Sequence, residues 1–158
     1  MTRIEFYFNV ADKHELIENL VHLALAKRRQ ISILTSDEQA SAGVSAYLWQ
    51  NKPSSFLPNM QINTKNMNDE EPNKAQLNLI NAAVTPVVIS SHAKALLQDD
   101  LLVNLTSNEP NFFSRFTQLI EIIGLDVDDK SAGRQRYKFY RDRGYEIKNI
   151  DLATYKLE

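Results

Sequence analysis

Ile4-Glu5-Phe6-Tyr7-Phe8-Asn9, followed at Asp12 by Asp12-Lys13-His14-Glu15-Leu16-Ile17, is the stretch that decides the fold. Ile4, Phe6 and Phe8 alternate with Glu5, Tyr7 and Asn9, the period of a strand. Asp12 with Glu15 three positions on has the pattern of a capping box, so a helix is expected to start there. Leu16, Leu20, Leu23 and Ala24, flanked by Ile17 and Val21, give that helix an apolar stripe, and Lys27, Arg28 and Arg29 close it with cations suited to its dipole. Ile31 to Thr35 reads as a short buried strand. Ser36 with Gln39 repeats the capping-box pattern and opens a second helix running to about Gln50. The order β-α-β-α favours a largely parallel sheet with helices packed on it, an α/β, Rossmann-like three-layer domain.

Outward from there the rhythm changes. Five asparagines with Asp69, Glu70, Glu71 and Pro72 mark residues 59–75 as loop, and 59–84 reads as a flexible Asn-rich insert within one domain covering 1–158. Gln76 to Ala83 leaves helix and strand equally open. Strands are expected again at Pro86–Ser90, Leu101–Thr106 and Thr117–Ile123. Asp128 or Asp129 can cap a long basic C-terminal helix ending near Gly144, a suitable residue just past a helix end, before a short extended tail.

At 158 residues, 43% apolar and 24% charged, the chain has the make-up of an ordinary soluble domain. No stretch approaches the roughly 18 consecutive apolar residues of a membrane span. The start, Met-Thr-Arg-Ile-Glu-Phe, has no apolar signal core, so a cytoplasmic location is expected. The absence of cysteine excludes disulfides, thiolate catalysis and Cys-based zinc sites.

Catalytic patterns are not found. Gly43, Gly124, Gly133 and Gly144 are too scattered for a phosphate loop or dinucleotide fingerprint. His14, His22 and His92 lack metal-ligand spacing, and Ser90, Ser91 and His92 lack a nucleophile elbow. Asp99–Asp100 reads as a turn and Asp128–Asp129 as a helix start rather than as metal carboxylates. Neither cofactor nor metal is implied. A small α/β enzyme is the weakest of three functional readings.

Two features carry information. Between Lys130 and Lys148 seven basic residues (Lys130, Arg134, Arg136, Lys138, Arg141, Arg143, Lys148) face two acidic ones (Asp142, Glu146); that segment is +5 and leaves −7 on the rest of a chain of net charge −2. An ordinary reading of these charges is a solvated helix. Helical periodicity, however, puts Lys130, Arg134, Tyr137, Lys138 and Arg141 on one arc, with Ala132, Phe139 and Tyr140 turned to the sheet. Cations around one ring suit an anionic peptide bearing an apolar group, or single-stranded nucleic acid with a base on Tyr137; helix geometry does not choose between them. The second feature, Leu48-Trp49-Gln50-Asn51-Lys52-Pro53-Ser54-Ser55-Phe56-Leu57-Pro58, is either a proline-stiffened loop over the core or a rigid apolar platform for a partner.

These segments, with Phe6-Tyr7-Phe8, Leu101-Leu102-Val103-Asn104-Leu105, Pro110-Asn111-Phe112-Phe113-Ser114-Arg115-Phe116, Ile120-Glu121-Ile122-Ile123 and Arg136-Tyr137-Lys138-Phe139-Tyr140-Arg141 before Gly144, give the chain the landmarks of a known family in that family's order. The chain resembles the chi subunit of bacterial DNA polymerase III. That resemblance implies a non-catalytic, cytoplasmic accessory subunit, tied to the clamp loader by the psi subunit and gripping the acidic, Phe-ended C-terminal tail of single-stranded-DNA-binding protein. A repair helicase is a further partner, and DNA is met only indirectly. Carried over by position, the tail-binding residues are Lys130, Arg134, Tyr137 and Lys138, with Arg141 beside them and Ile123 as an apolar wall. The psi-facing residues are Trp49, Pro53, Phe56, Leu57 and Pro58. Asn59 and Gly124 stand where the family commonly has histidine and can have proline.

Overall fold

Alternation along the strands decides which side chains meet which helix. In the computed structural model the described residues are 2–50, 60–62, 86–92, 96 and 98–153, with the side chains of 49, 50 and 60–62 left aside. Among them the order is β1 (Arg3–Val10), α1 (Lys13–Ala26), β2 (Ile31–Leu34), α2 (Glu38–Gln50), β3 (Met60–Ile62), β4 (Val87–Ser90), β5 (Leu101–Asn104), a 3-10 turn (Phe113–Arg115), β6 (Gln118–Gly124), α3 (Val127–Asp142) and β7 (Ile147–Asp151). The strands form one seven-stranded sheet ordered β3-β4-β2-β5-β6-β1-β7, and every pairing in it is parallel.

One face of the sheet presents Tyr7, Ile31, Ile33, Val87, Ile89, Leu101, Val103, Ile120 and Ile122 to Leu16, Ile17, Leu20, Val21 and Ala24 of α1 and Val44 and Leu48 of α2. The other presents Ile4, Phe6, Val88, Leu102, Leu119 and Ile123 to Phe113 and Phe116 beside the 3-10 turn and to Tyr140 of α3. This is the expected three-layer arrangement. β6 is buried along its whole length, as a central parallel strand must be.

The first helix starts where expected, with Asp12 as its N-cap, its Oδ1 accepting from the Glu15 N–H at 3.2 Å. Two other helix starts are corrected. Asp37, not Ser36, accepts the Ala40 N–H at 2.7 Å, the three-residue step an N-cap side chain spans. Asp126 occupies the cap position of α3, leaving Asp128 and Asp129 in the first turn, where their charge still favours the dipole. Gly144 has φ of +83° just past the Arg143 cap, the left-handed conformation that suits glycine after a helix.

Within 59–84, read as loop, Met60–Ile62 is a strand pairing with β4 in the register Met60↔Val88 to Ile62↔Ser90. Three residues are too short a run for period two to register in sequence. The rest of that segment, including Gln76–Ala83, lies outside the described residues. The closing tail is an edge strand, Ile4↔Ile147 to Phe8↔Asp151, and its two apolar residues point to opposite clusters.

Candidate functional site

The inner side of α3 explains how its outer side is aimed. Glu121 lies in mid-β6, and with Arg136 of α3 it forms a buried ion pair, Nε to Oε1 at 3.0 Å, the two side chains 0% and 1% exposed. Tyr140 Oη donates to Glu121 Oε2 at 2.7 Å, and Asn104 Nδ2 reaches both carboxylate oxygens at 3.1 and 3.0 Å. Arg136 also donates to the Ser107 carbonyl at 3.1 Å. Burial pushes the Glu121 carboxyl above its ordinary range, with Arg136, Asn104 and Tyr140 pulling the other way. Burial likewise raises the Tyr140 hydroxyl, and the adjacent Glu121 adds to the effect. The network therefore joins β5, β6 and α3 at one rotational setting of the helix. Gly133 brings the helix close to β6: a Cβ there would run into Ile123 Cδ1 and Cγ1.

Arg136 enters the basic charge of the segment but not its outward arc, and the structure places it in the core. A buried Glu121 inside an otherwise apolar strand was the available signal, since such an acid needs a cation and hydrogen bonds. Arg143 is also occupied, its guanidinium carbon 3.5 Å from the centre of the Phe139 ring. Among the described residues Arg141 makes only an exposed contact with Asp142 at 3.6 Å. Lys130, Arg134 and Lys138 have no side-chain partner among the described residues.

These three cations point where periodicity put them. A recess of about 440 Å³ is lined by Phe8, Arg134, Tyr137, Lys138, Arg141 and Asn149. A neighbouring one of about 300 Å³ is lined by Phe8, Asn9, Ile123, Lys130, Arg134 and Asp151. Lys130, Arg134, Tyr137 and Lys138, with Ile123 and the neighbouring Arg141, therefore line these two recesses, and Phe8 and Arg134 belong to both. Ile123 is almost wholly covered, so only its edge can form a wall. Tyr137 is half-buried; its ring meets Phe6 edge-on with centroids 5.2 Å apart, and its hydroxyl accepts from Asn149 Nδ2 at 3.4 Å. Phe8 stacks on Phe6 at 5.8 Å, which gives the recesses a shared aromatic floor. Sequence reasoning missed Phe8, Asn9, Asn149 and Asp151 because they come from β1 and β7, neighbours only once the tail has joined the sheet. Asp151 is held below its ordinary range by hydrogen bonds from Asn9 and the Ala153 N–H.

The second group of residues falls almost wholly outside the described residues. Trp49 falls at the end of α2 by its backbone; its side chain, and Pro53, Phe56, Leu57 and Pro58, lie outside the described residues. Among the described residues no group of three His, Asp or Glu side chains is placed to hold a metal ion, and no helix is long and apolar enough to cross a membrane.

Residues 1–148 match the family model described as DNA polymerase III chi subunit, HolC. The chain belongs to that family. DNA polymerase III subunit chi of Pseudomonas aeruginosa is 24% identical over 156 residues, covering 96% of this chain and 98% of the relative. The Haemophilus influenzae chi subunit is 29% identical over 140 residues (88% and 87%), and that of Escherichia coli 26% over 145 residues (89% and 86%). As a chi subunit by family, the chain is an accessory part of the DNA polymerase III assembly and acts in DNA replication. Among solved structures, the C-terminal domain of S. cerevisiae Dbp5, determined with Gle1 and IP6, superposes with a TM-score of 0.58 at 11% identity, covering 96% of this chain and 90% of that one. That likeness concerns the α/β fold alone.

Proposed function

We propose that this chi subunit bridges the clamp loader, through psi, to single-stranded-DNA-binding protein, whose acidic, Phe-ended tail docks on the outer face of α3. The observation that carries this reading is the pair of adjoining recesses with Phe8 and Arg134 in common, cations at both ends and rings between. A terminal phenylalanine finds apolar surface against Phe8 and Tyr137. Its carboxylate is within the domain of Arg134, whose planar fork suits such a group better than a lysine would. Lys130, Lys138 and Arg141 attract the preceding aspartates. A charge-assisted hydrogen bond to Arg134 contributes roughly 1.5–3 kcal/mol. The exposed lysines contribute about 0.2–1 kcal/mol each and mainly speed encounter. The subunit itself is non-catalytic in this reading and works in the cytoplasm.

Calorimetric titration with a peptide ending in acidic residues and phenylalanine tests the proposal. Arg134→Ala is expected to weaken binding about 10- to 100-fold. Lys138→Ala should cost less, and its effect should fade with salt. Unchanged affinity in Arg134→Ala removes the central role given to that residue. Direct binding of single-stranded DNA competes for the same face; it predicts a partner-free gel shift with a steep salt slope, where little binding near physiological salt is expected. The psi arm rests on the family resemblance at Trp49, Pro53, Phe56, Leu57 and Pro58. Phe56→Ala should abolish co-purification with psi while sparing the tail peptide, and equal loss of both would make Phe56 a core residue. The repair helicase, a further partner by resemblance, is sought by affinity purification from the native cell.

A further inference from the structure

At the carboxyl ends of β1 and β6 the chain parts in opposite directions. β1 turns into α1 on one face of the sheet, and β6 turns into α3 on the other. Between the two turns lies a crevice of about 560 Å³ whose apolar lining is Val10, Ala11, Gly124, Leu125 and Ala132. Such a switch point is where open parallel sheets take their ligands. The charges on its floor are satisfied: Asp129 Oδ2 holds Lys13 Nζ at 2.8 Å and accepts the Gly124 N–H at 2.6 Å.

Its rim is unsatisfied in two respects. Leu125, which lines the crevice, is 56% exposed, and Val127, just outside the lining in the first turn of α3, is 78% exposed; they are two of the three large hydrophobic residues that are exposed among the described residues. Asp126 between them and Asp128 after them have no side-chain partner among the described residues, and both line the crevice. Exposed apolar side chains clustered at a concave site mark an interaction surface more than scattered ones do. The two carboxylates decide the sign of the occupant. They oppose a nucleotide or any other anion, although the fold would otherwise suit one. They favour cations around an apolar group.

We propose that this crevice is a second docking surface, which takes a segment of a partner protein carrying an apolar side chain flanked by lysines or arginines. Its charge is opposite to that of the outer face of α3, so the two faces select different partners. The inference stands apart from the tail reading, which involves none of these residues.

The test uses the full chain, labelled with ¹⁵N and titrated with two synthetic peptides. One has leucine and phenylalanine flanked by lysine and arginine; the other has glutamate in place of each cation. The basic peptide should shift the amides of Ala11 and of 124–129, and the acidic one should leave them unmoved. Leu125→Ser with Val127→Ser should weaken the basic peptide about 10-fold or more. Asp126→Asn with Asp128→Asn should weaken it about 3-fold and flatten its salt dependence. Both double variants alter exposed side chains and should keep full affinity for the acidic, Phe-ended peptide. Absence of shifts at the crevice, or a basic peptide bound equally well by both double variants, overturns the proposal. Shifts at the same amides on raising protein concentration alone would assign the surface to self-association and overturn it as well.

Discussion

Arg134 and Arg136 stand two residues apart on one helix and have nothing else in common. Arg136 is buried against Glu121 and gives all its charge to the fold, while Arg134 is exposed between two recesses with no partner among the described residues. The difference comes from what the helix faces. One side of α3 meets a sheet with an acid waiting at Glu121, and the other meets solvent. A count of basic residues cannot tell such positions apart, because charge is a property of the side chain and role is a property of the surroundings. The comparison also shows a dependence: the inner arginine fixes the rotation at which the outer one is presented.

The largest effect should come from breaking the inner side. Arg136→Ala leaves Glu121 buried without its cation and should lower stability in urea unfolding by about 3–5 kcal/mol. Replacing both members of the pair by apolar residues of similar volume should recover most of that loss, which separates the cost of an orphaned charge from the worth of the pair. Next comes Gly133→Ala, which forces a methyl into Ile123 and should cost about 1–3 kcal/mol through overpacking, with weaker peptide binding as the Ile123 wall shifts. Arg134→Ala should stay within about 0.5 kcal/mol of the parent in the same unfolding experiment, as an exposed site does. A loss like that of Arg136→Ala would erase the distinction between the two arginines.

A smaller effect than those of the core changes concerns the anchoring of the first turn of α3. Burial opposes ionisation of Asp129, but Lys13 and the Gly124 N–H outweigh it and hold the carboxyl below its ordinary range. A depressed folded-state value means that the native chain holds fewer protons than the unfolded one, so this contribution is present above the ordinary carboxylate range. It is lost as pH falls through the depressed value. With Lys13 partly exposed, the difference between parent and Asp129→Asn should be only about 0.5–1 kcal/mol near neutrality. It should shrink on acidification, and a difference that grew instead would reverse the sign argued here. The Gly124 N–H matters to the same contact, and a proline at that position would have no such donor.

Much of this was legible before any tertiary structure. Strand and helix periods run cleanly from Ile4 to Gln50 and again from Leu101 onward, because a parallel sheet covered on both faces demands apolar runs of recognisable period. Lys130, Arg134, Tyr137, Lys138 and Arg141 could be grouped on one arc because a helix turns by a constant angle. The landmarks from Phe6 to Gly144 sufficed to suggest the family. Where the run was too short, the reading failed: Met60–Ile62 is an edge strand specified by its neighbour β4, whereas the closing tail is extended as expected and only its place beside β1 needed the structure.

Sequence alone, then, determined the layers, the family and the cationic arc of α3, all of which depend on local repetition along the chain. Only the tertiary structure could decide that Arg136 belongs to the core, that Phe8 and Asn149 join Arg134 and Tyr137, and that a crevice opens between β1 and β6. Each of these depends on residues from 15 to more than 100 positions apart being brought together by strand order and register. Burial then sets their chemistry: the same guanidinium is an internal counter-ion where water is excluded, and a free binding group where it is not.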